Sequence, residues 1–380
     1  MTDTTADPAG DEREPCPYCG EAIPAGAFCG NCGAHLADES GAARLQHFAA
    51  APTEHVVKMA IISTLFPHLT RSHAHVFRET LGIGFLAIVV LAALRLYAPS
   101  LVVAAGLMPV LYLLYMFESR IWEEAAPVVL AATFITSGVL GAAFSLGFGQ
   151  LVSGRIDGTA QGAGFSGVLL PGVGQLLMLA GPLLLLRDRH FDEVLDGLSF
   201  GVMSAFGFTV ASVIAGYWST LTAPLVGPAA ISTGQMADIV RAGVLAGLVN
   251  ASTTGLVLAT IWVRYHGRAR GRHRARLFQW QEASAVAFAA QIGLGLATYY
   301  ITSLALVLVV WAAAAAALLV WLRVILHFAL LDEGSAHFVG DPSGCTECHR
   351  LVPAMHFCPD CGVARSAAPK HGRPPELELR

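Results

Sequence analysis

Charge is scarce in this chain: only 13% of its 380 residues are Asp, Glu, Lys or Arg, against 55% that are hydrophobic. That balance excludes an ordinary soluble globular domain and makes the bilayer the solvent for most of the polypeptide. Cysteine is absent from every apolar run, all eight being confined to two short stretches near the ends. The first fifteen residues lack the basic start and apolar core of a signal peptide, so the N-terminal region is expected to stay in the compartment of synthesis. Basic residues are missing where nucleic-acid contact would need them. None lies between Cys16 and Cys32, and only Arg350 lies between Cys345 and Cys361, so the phosphate neutralisation that dominates such binding is not expected. No P-loop, Gly-x-Ser-x-Gly elbow or HExxH helix is present.

What is present begins with the cysteines. Cys16, Cys19, Cys29 and Cys32 read Cys-x2-Cys, nine residues, Cys-x2-Cys, and Cys345, Cys348, Cys358 and Cys361 repeat that spacing. Further positions recur with it: Pro24 with Pro353, Phe28 with Phe357 and Gly33 with Gly362. A Cys-x2-Cys turn aims two thiolates at one point, and a second turn supplies the other corners of a closed tetrahedral Zn²⁺ site, structural because no position stays open. Segments this short bury too little apolar surface to fold alone, so metal binding and folding are expected to be one event. Two disulfides per stretch are the competing reading, disfavoured by the repeated doublets and the missing export signal. His349 and His356, beside the second set, read as solvated bystanders.

Apolar runs of about 20 residues fall near 81–97, 99–117, 126–150, 163–186, 196–216, 239–263, 283–300 and 302–322, with a turn near Thr298 to Ser303 separating the last two. The expected fold is therefore an all-α polytopic membrane protein of about eight transmembrane helices, with a small zinc ribbon at each end. An even number of spans puts both ribbons on one side. Loops on that side carry Arg120, Arg187, Arg189, Arg264, Arg268, Arg270, Arg272, Arg274 and Arg276, and the opposite loops offer only Arg155. This positive-inside bias predicts a cell (inner) membrane protein with both ends cytoplasmic, a reducing location that suits thiolate metal sites. The arginine-rich loop reads as a topology anchor at the lipid surface.

The expected organisation is a disordered tail over 1–15, a ribbon over 16–36, and a linker with an interfacial helix over 37–80, broken at Pro67. The bundle follows over 81–326, then a linker over 327–344, a ribbon over 345–362 and a disordered tail over 363–380. His68, His73 and His75 lie in the interfacial segment without carboxylate or cysteine partners and read as solvated. Within the runs, charged residues sit only near the ends, as Arg95, Asp196 and Arg241 do. Uncharged polar groups remain at Gln175, Ser204, Thr209, Ser212, Asn250, Ser252, Thr253 and Thr254, and these more often join helices than perform chemistry. Gly201, Gly207, Gly243 and Gly247 are expected to allow close helix approach.

The stretch DEVLDGLSFGVMSAFGFTVASV from Asp192 to Val213, preceded by PGVGQLLML from Pro171, resembles the core of the PrsW-type intramembrane proteases over about residues 165–265. That family is known by a Glu-Glu-x-x-Lys helix after a Pro, a Phe-x-x-x-Glu helix and a later helical His. Position by position, the Glu pair falls on Gly174 and Gln175, the Lys on Met178, the second motif on Phe208 and Ser212, and the His on Asn250. Every ionisable group of the motif is replaced, so the resemblance implies the fold without the activity, a pseudoprotease. No catalytic residue is assigned. The implied function is a non-enzymatic membrane scaffold or regulator, holding a membrane partner in a cleft near Gln175, Ser212 and Asn250 or through its ribbons. Two alternatives stand beside it: a protease using Asp192, Glu193 or His190, and a transporter of a neutral solute. The ribbons are expected either to pack together within the chain or to pair between protomers.

Overall fold

The computed structural model describes residues 13–37, 46–67, 74–118, 127–152, 160–188, 191, 193–222, 231–265, 279–333 and 339–368. A two-stranded hairpin, β1 (Arg13–Pro15) with β2 (Ala22–Pro24), opens the chain. Helices follow as α1 (Ile61–Leu65), α2 (Ala74–Ala93), α3 (Tyr97–Glu118), α4 (Pro127–Val152), α5 (Ala160–Gly162), α6 (Leu170–Leu185), α7 (Val194–Gly216), α8 (Trp218–Leu221), α9 (Thr233–Asp238), α10 (Ala246–Tyr265), α11 (Trp280–Tyr300) and α12 (Leu304–Glu333). Two π-helical stretches, Ala163–Leu169 and Ile239–Leu245, lead directly into α6 and α10. A second hairpin, β3 (Gly340–Gly344) with β4 (Leu351–Ala354), closes the described chain.

Among the described residues, seven helical stretches are long and apolar enough to cross a membrane: His75–Ala93, Tyr97–Glu118, Pro127–Phe148, Ala163–Leu185, Val194–Gly216, Thr233–Tyr265 and Leu304–Asp332. Helix α11 is the eighth long helix, and Gln281, Glu282 and Gln291 dilute its apolar character. The break before α12 comprises Ile301–Ser303, and the Trp311 indole donates to the Thr298 hydroxyl across it at 2.9 Å.

Helix α7 is the centre of the bundle, between α4 and α10, and small residues set both seams. A Cβ added to Gly207 would collide with the Phe134 carbonyl of α4, and one added to Gly201 would lie 3.0 Å from Gly255 of α10. Backbones approach this closely because lipid offers no hydrophobic reward for helix association, so contact area and hydrogen bonds must supply it. The outward faces of α2 and α4 are lined with apolar side chains such as Ile83, Phe85, Val128 and Ile135, each more than half exposed as befits a lipid face.

Several expected boundaries are corrected. Residues 13–15 form β1 rather than a tail, and residues 1–12 lie outside the described residues. Of the described residues in the segment expected as an interfacial helix, 61–65 form α1, 74–80 are already the first turns of α2 with His75 exposed, and 53–60 are irregular; His68 and His73 lie outside the description. The supposed linker 327–344 begins as helix, because α12 runs to Glu333, and it ends as strand β3. Residues 363–368 are part of the second ribbon's packing, with Val363, Ala364, Ala367 and Ala368 buried, while 369–380 lie outside the description. His356 is half-buried rather than solvated.

Candidate metal centres and the polar core

The two ribbons repeat one another backbone group by backbone group. In the first, Pro15 pairs with Ala22 and Arg13 with Pro24; in the second, Gly344 pairs with Leu351 and Pro342 with Pro353. Every Cys-x2-Cys turn is closed in the same way. The N–H groups of Gly20, Gly33, His349 and Gly362 donate to the carbonyls of Cys16, Cys29, Cys345 and Cys358 at 2.8–2.9 Å. The N–H groups of those four cysteines in turn donate to the Glu21, Ala34, Arg350 and Val363 carbonyls at 2.8–3.0 Å. The residue following each doublet has positive φ: 77° at Gly20, 70° at Gly33, 59° at His349 and 79° at Gly362.

These turns bring each set of four sulfurs within 4.8 Å of one another. Cys16 and Cys32 are 3.9 Å apart, Cys19 and Cys29 3.8 Å, Cys345 and Cys361 3.8 Å, and Cys348 and Cys358 3.9 Å. A disulfide would need about 2.05 Å, whereas corners of a tetrahedron with metal–sulfur bonds of about 2.3 Å are about 3.8 Å apart. The donor set therefore fits a metal ion. The thiols alone are poorly suited to sharing so small a space as anions. Hydrogen bonding with Cys32 raises the Cys29 pKa and that with Cys345 raises Cys361, burial raises Cys19 and pushes Cys348 up to about 12, and Cys345 is lowered by hydrogen bonds from Cys358 and Cys361. A cation removes this conflict by stabilising all four thiolates together.

The ribbons also touch. Phe28 N–H donates to the Pro359 carbonyl and Phe357 N–H donates to the Gly30 carbonyl, both at 2.9 Å. Since Phe28 is the counterpart of Phe357 and Gly30 that of Pro359, the two bonds are reciprocal, as in a two-fold pair. The cap so formed rests on the end of α12, where Leu331 packs against Gly33.

Inside the bundle a second polar constellation joins α6, α7, α10 and α11. The Gln291 amide donates to Asn250 Oδ1 at 2.8 Å and lies 3.3 Å from Gln175 Oε1, while Thr253 Oγ1 is 3.0 Å from that same Gln175 oxygen. Asn250 Nδ2 donates to Thr209 Oγ1 at 2.8 Å, and Gln175 Nε2 donates to Thr254 Oγ1 at 3.4 Å. Gln175, Thr253 and Thr254 are fully buried. A neighbouring bond joins Ser137 of α4 to Ser204 of α7 at 2.6 Å. Of the three expected cleft residues, Gln175 and Asn250 meet through Gln291 and Thr253. Ser212 does not join them: it donates to the Gly141 carbonyl of α4 at 3.1 Å. Gln291 was not among the expected polar positions, although a carboxamide in the middle of AVAFAAQIGLG was the available signal.

No family model, curated protein or solved structure matches this chain.

Three carboxylates near the bundle, Glu193, Asp196 and Asp238, have structural partners. Glu193 and Asp196 form a reciprocal capping box at the start of α7, with Glu193 N–H donating to Asp196 Oδ2 at 3.2 Å, which satisfies donors that the first helical turn leaves open. Asp238 pairs with Arg241 at 2.9 Å. His190 and Asp192 lie outside the described residues.

The one fully buried cation is Arg323 of α12, among the described residues. It donates to Glu54 Oε2 at 3.0 Å, to Ser63 Oγ at 2.7 Å and to the His55 carbonyl at 3.3 Å, and its guanidinium lies 3.9 Å over the Phe48 ring. Burial acts to raise the Glu54 pKa, but hydrogen bonds from Ser63 and Lys58 and the charge of Arg323 outweigh it and hold the carboxyl below its ordinary value.

Proposed function

We propose that this chain is a multi-pass protein of the cell (inner) membrane with both ribbons cytoplasmic, one structural Zn²⁺ in each ribbon, and a PrsW-like bundle that acts as a non-catalytic scaffold or regulator. The observation that carries the non-catalytic part is the Gln175–Asn250–Gln291 network. Where the resemblance would place a glutamate and a histidine, the chain has the carboxamides Gln175 and Asn250, joined through Gln291, and neither can activate water or bind a metal tightly. Zinc is favoured over other ions by a closed set of four thiolates. Cytoplasmic placement is supported by the arginine bias, of which only Arg187 and Arg264 lie among the described residues, and by the need of thiolates for a reducing medium. The contact between the ribbons supports an even number of crossings, which the seven apolar stretches would make up if the less apolar α11 also crosses.

Partners in this reading are the bilayer and a membrane protein held by the bundle or the ribbons. Elemental analysis of the purified chain is expected to find two zinc ions per polypeptide, and a reporter fused beside either ribbon is expected to signal from the cytoplasm. Incubation with membrane substrates is expected to yield no cleavage. Cleavage that disappears in Glu193→Gln would instead establish the protease reading, and solute flux in proteoliposomes the transporter reading.

A further inference from the structure

We infer that metal loading of the two ribbons and docking of the 46–67 segment onto α12 are one coupled equilibrium, so that stripping the metal releases α12 from the cap. This rests on the metal-ribbon reading above. The physical connection is short. Ala364, three residues after the ligand Cys361, donates its N–H to the Ala49 carbonyl at 2.7 Å, and Ala49 N–H donates to His327 Nδ1 on α12 at 3.1 Å. On the other ribbon Gly33, the residue after the ligand Cys32, lies against Leu331 of α12 and Phe357 of the second ribbon. Residues one and three positions from metal ligands thus touch the last helix or the segment clamped to it.

The clamp is all-or-none in character. Glu54, His55, Ser63 and Thr64 all reach Arg323, and all belong to the 46–67 segment. If that segment leaves, Arg323 loses its counter-charge while still beside apolar surface, which is strongly unfavourable for a buried cation. Phe66, fully buried against Phe77, Tyr112 and Tyr115 at ring separations of 5.0–5.7 Å, holds the far end of the same segment. Helix α12 has room to respond. Its 30 residues span about 45 Å, against a hydrocarbon thickness of about 30 Å, and Arg323 sits roughly 28 Å from its start, so the final turns project into the cap.

Linkage makes the coupling reciprocal: whatever metal contributes to docking, docking contributes to metal affinity. The test uses the full chain in detergent, with zinc content measured first. Amide hydrogen exchange is then followed by mass spectrometry before and after stripping with a high-affinity zinc chelator, and zinc affinity is measured by chelator competition for the wild type, Glu54→Gln and Ser63→Ala. Stripping is expected to speed exchange in 46–67 and 323–333 by about 5–150-fold and to leave α7 unchanged. Glu54→Gln is expected to weaken zinc affinity by a comparable factor and Ser63→Ala by less. Two zinc ions per chain, faster exchange in 339–368 on stripping, and unaltered exchange in 46–67 and 323–333 would overturn the coupling alone. A chain without metal would overturn the ribbon reading and the coupling with it. Ser63→Ala retains the ion pair, so the test survives a failure of Glu54→Gln to fold.

Discussion

In the first ribbon both residues that follow a Cys-x2-Cys pair are glycines, Gly20 and Gly33; in the second, one is Gly362 and the other is His349. All four take left-handed backbone conformations. The turn that aims two sulfurs at one point therefore dictates the conformation whichever residue occupies it, and His349 accepts a penalty of about 1–2 kcal/mol that glycine avoids. A structural metal contributes about 10–16 kcal/mol in small zinc domains, so a metal held by its four cysteines would let the second ribbon tolerate what an unaided fragment of its size would not. The ribbons differ again one strand-pairing further on. Phe28 bridges to His35, whose ring lies 5.2 Å from that of His47, while Phe357 bridges to Ala364, which reaches the Ala49 backbone. The second ribbon thus makes the backbone contact to the clamped segment, and the first packs on Leu331.

The equivalence of the two metal centres is broken most severely by removing a ligand. Cys29→Ser and Cys358→Ser each leave three thiolates and are expected to forfeit a large part of the roughly 10–16 kcal/mol of metal binding, seen by native mass spectrometry as loss of the ion from the altered ribbon. Next in size is the comparison of Gly362→Ala with Gly20→Ala. Both require a non-glycine residue at positive φ, costing about 1–2 kcal/mol, but a Cβ at Gly362 also falls 2.6 Å from the Phe28 ring, whereas one at Gly20 meets nothing within 4 Å. Overpacking adds about 1–3 kcal/mol, so Gly362→Ala is expected to weaken zinc retention in chelator competition by about 5- to 150-fold more than Gly20→Ala.

The same comparison sharpens in the opposite direction at His349. His349→Gly is expected to stabilise the second ribbon by about 1 kcal/mol, visible as slower zinc transfer to a competing chelator, and Gly20→His should destabilise the first by a similar amount. The smallest effect belongs to the exposed pair of Arg350 with Asp360 at 2.6 Å. Arg350→Ala is expected to change zinc affinity by no more than about 0.5 kcal/mol, because exposed ion pairs are screened and entropically costly.

The membrane-spanning helices and the cysteine sets were legible in the sequence because both are local signals, one a run of apolar residues and the other a fixed spacing. What escaped depends on residues distant in sequence. The end of α12 was missed because Arg323 and His327 interrupt its hydropathy, and their partners Glu54 and Ala49 lie more than 260 residues away. Gln291 was passed over because its partners sit on α6 and α10, and Ser212 was grouped with Gln175 by a family pattern although its own helix face turns toward Gly141. Within the irregular stretch 53–60 the His55 carbonyl accepts from Arg323, a role that the middle of a helix would not leave free. The PrsW likeness, carried by glycine and phenylalanine positions, has no matching family model beside it.

The reciprocal bonds from Phe28 to Pro359 and from Phe357 to Gly30 also have a mechanical meaning. An extraction machine that grips the polypeptide ahead of Arg13 or beyond Ala368 loads the paired knuckles before tension reaches any helix, so withdrawal from the bilayer would begin with rupture of the cap. As long as that fastening holds, traction from either flank is shared across the joined ends, and a single span cannot be drawn out by itself.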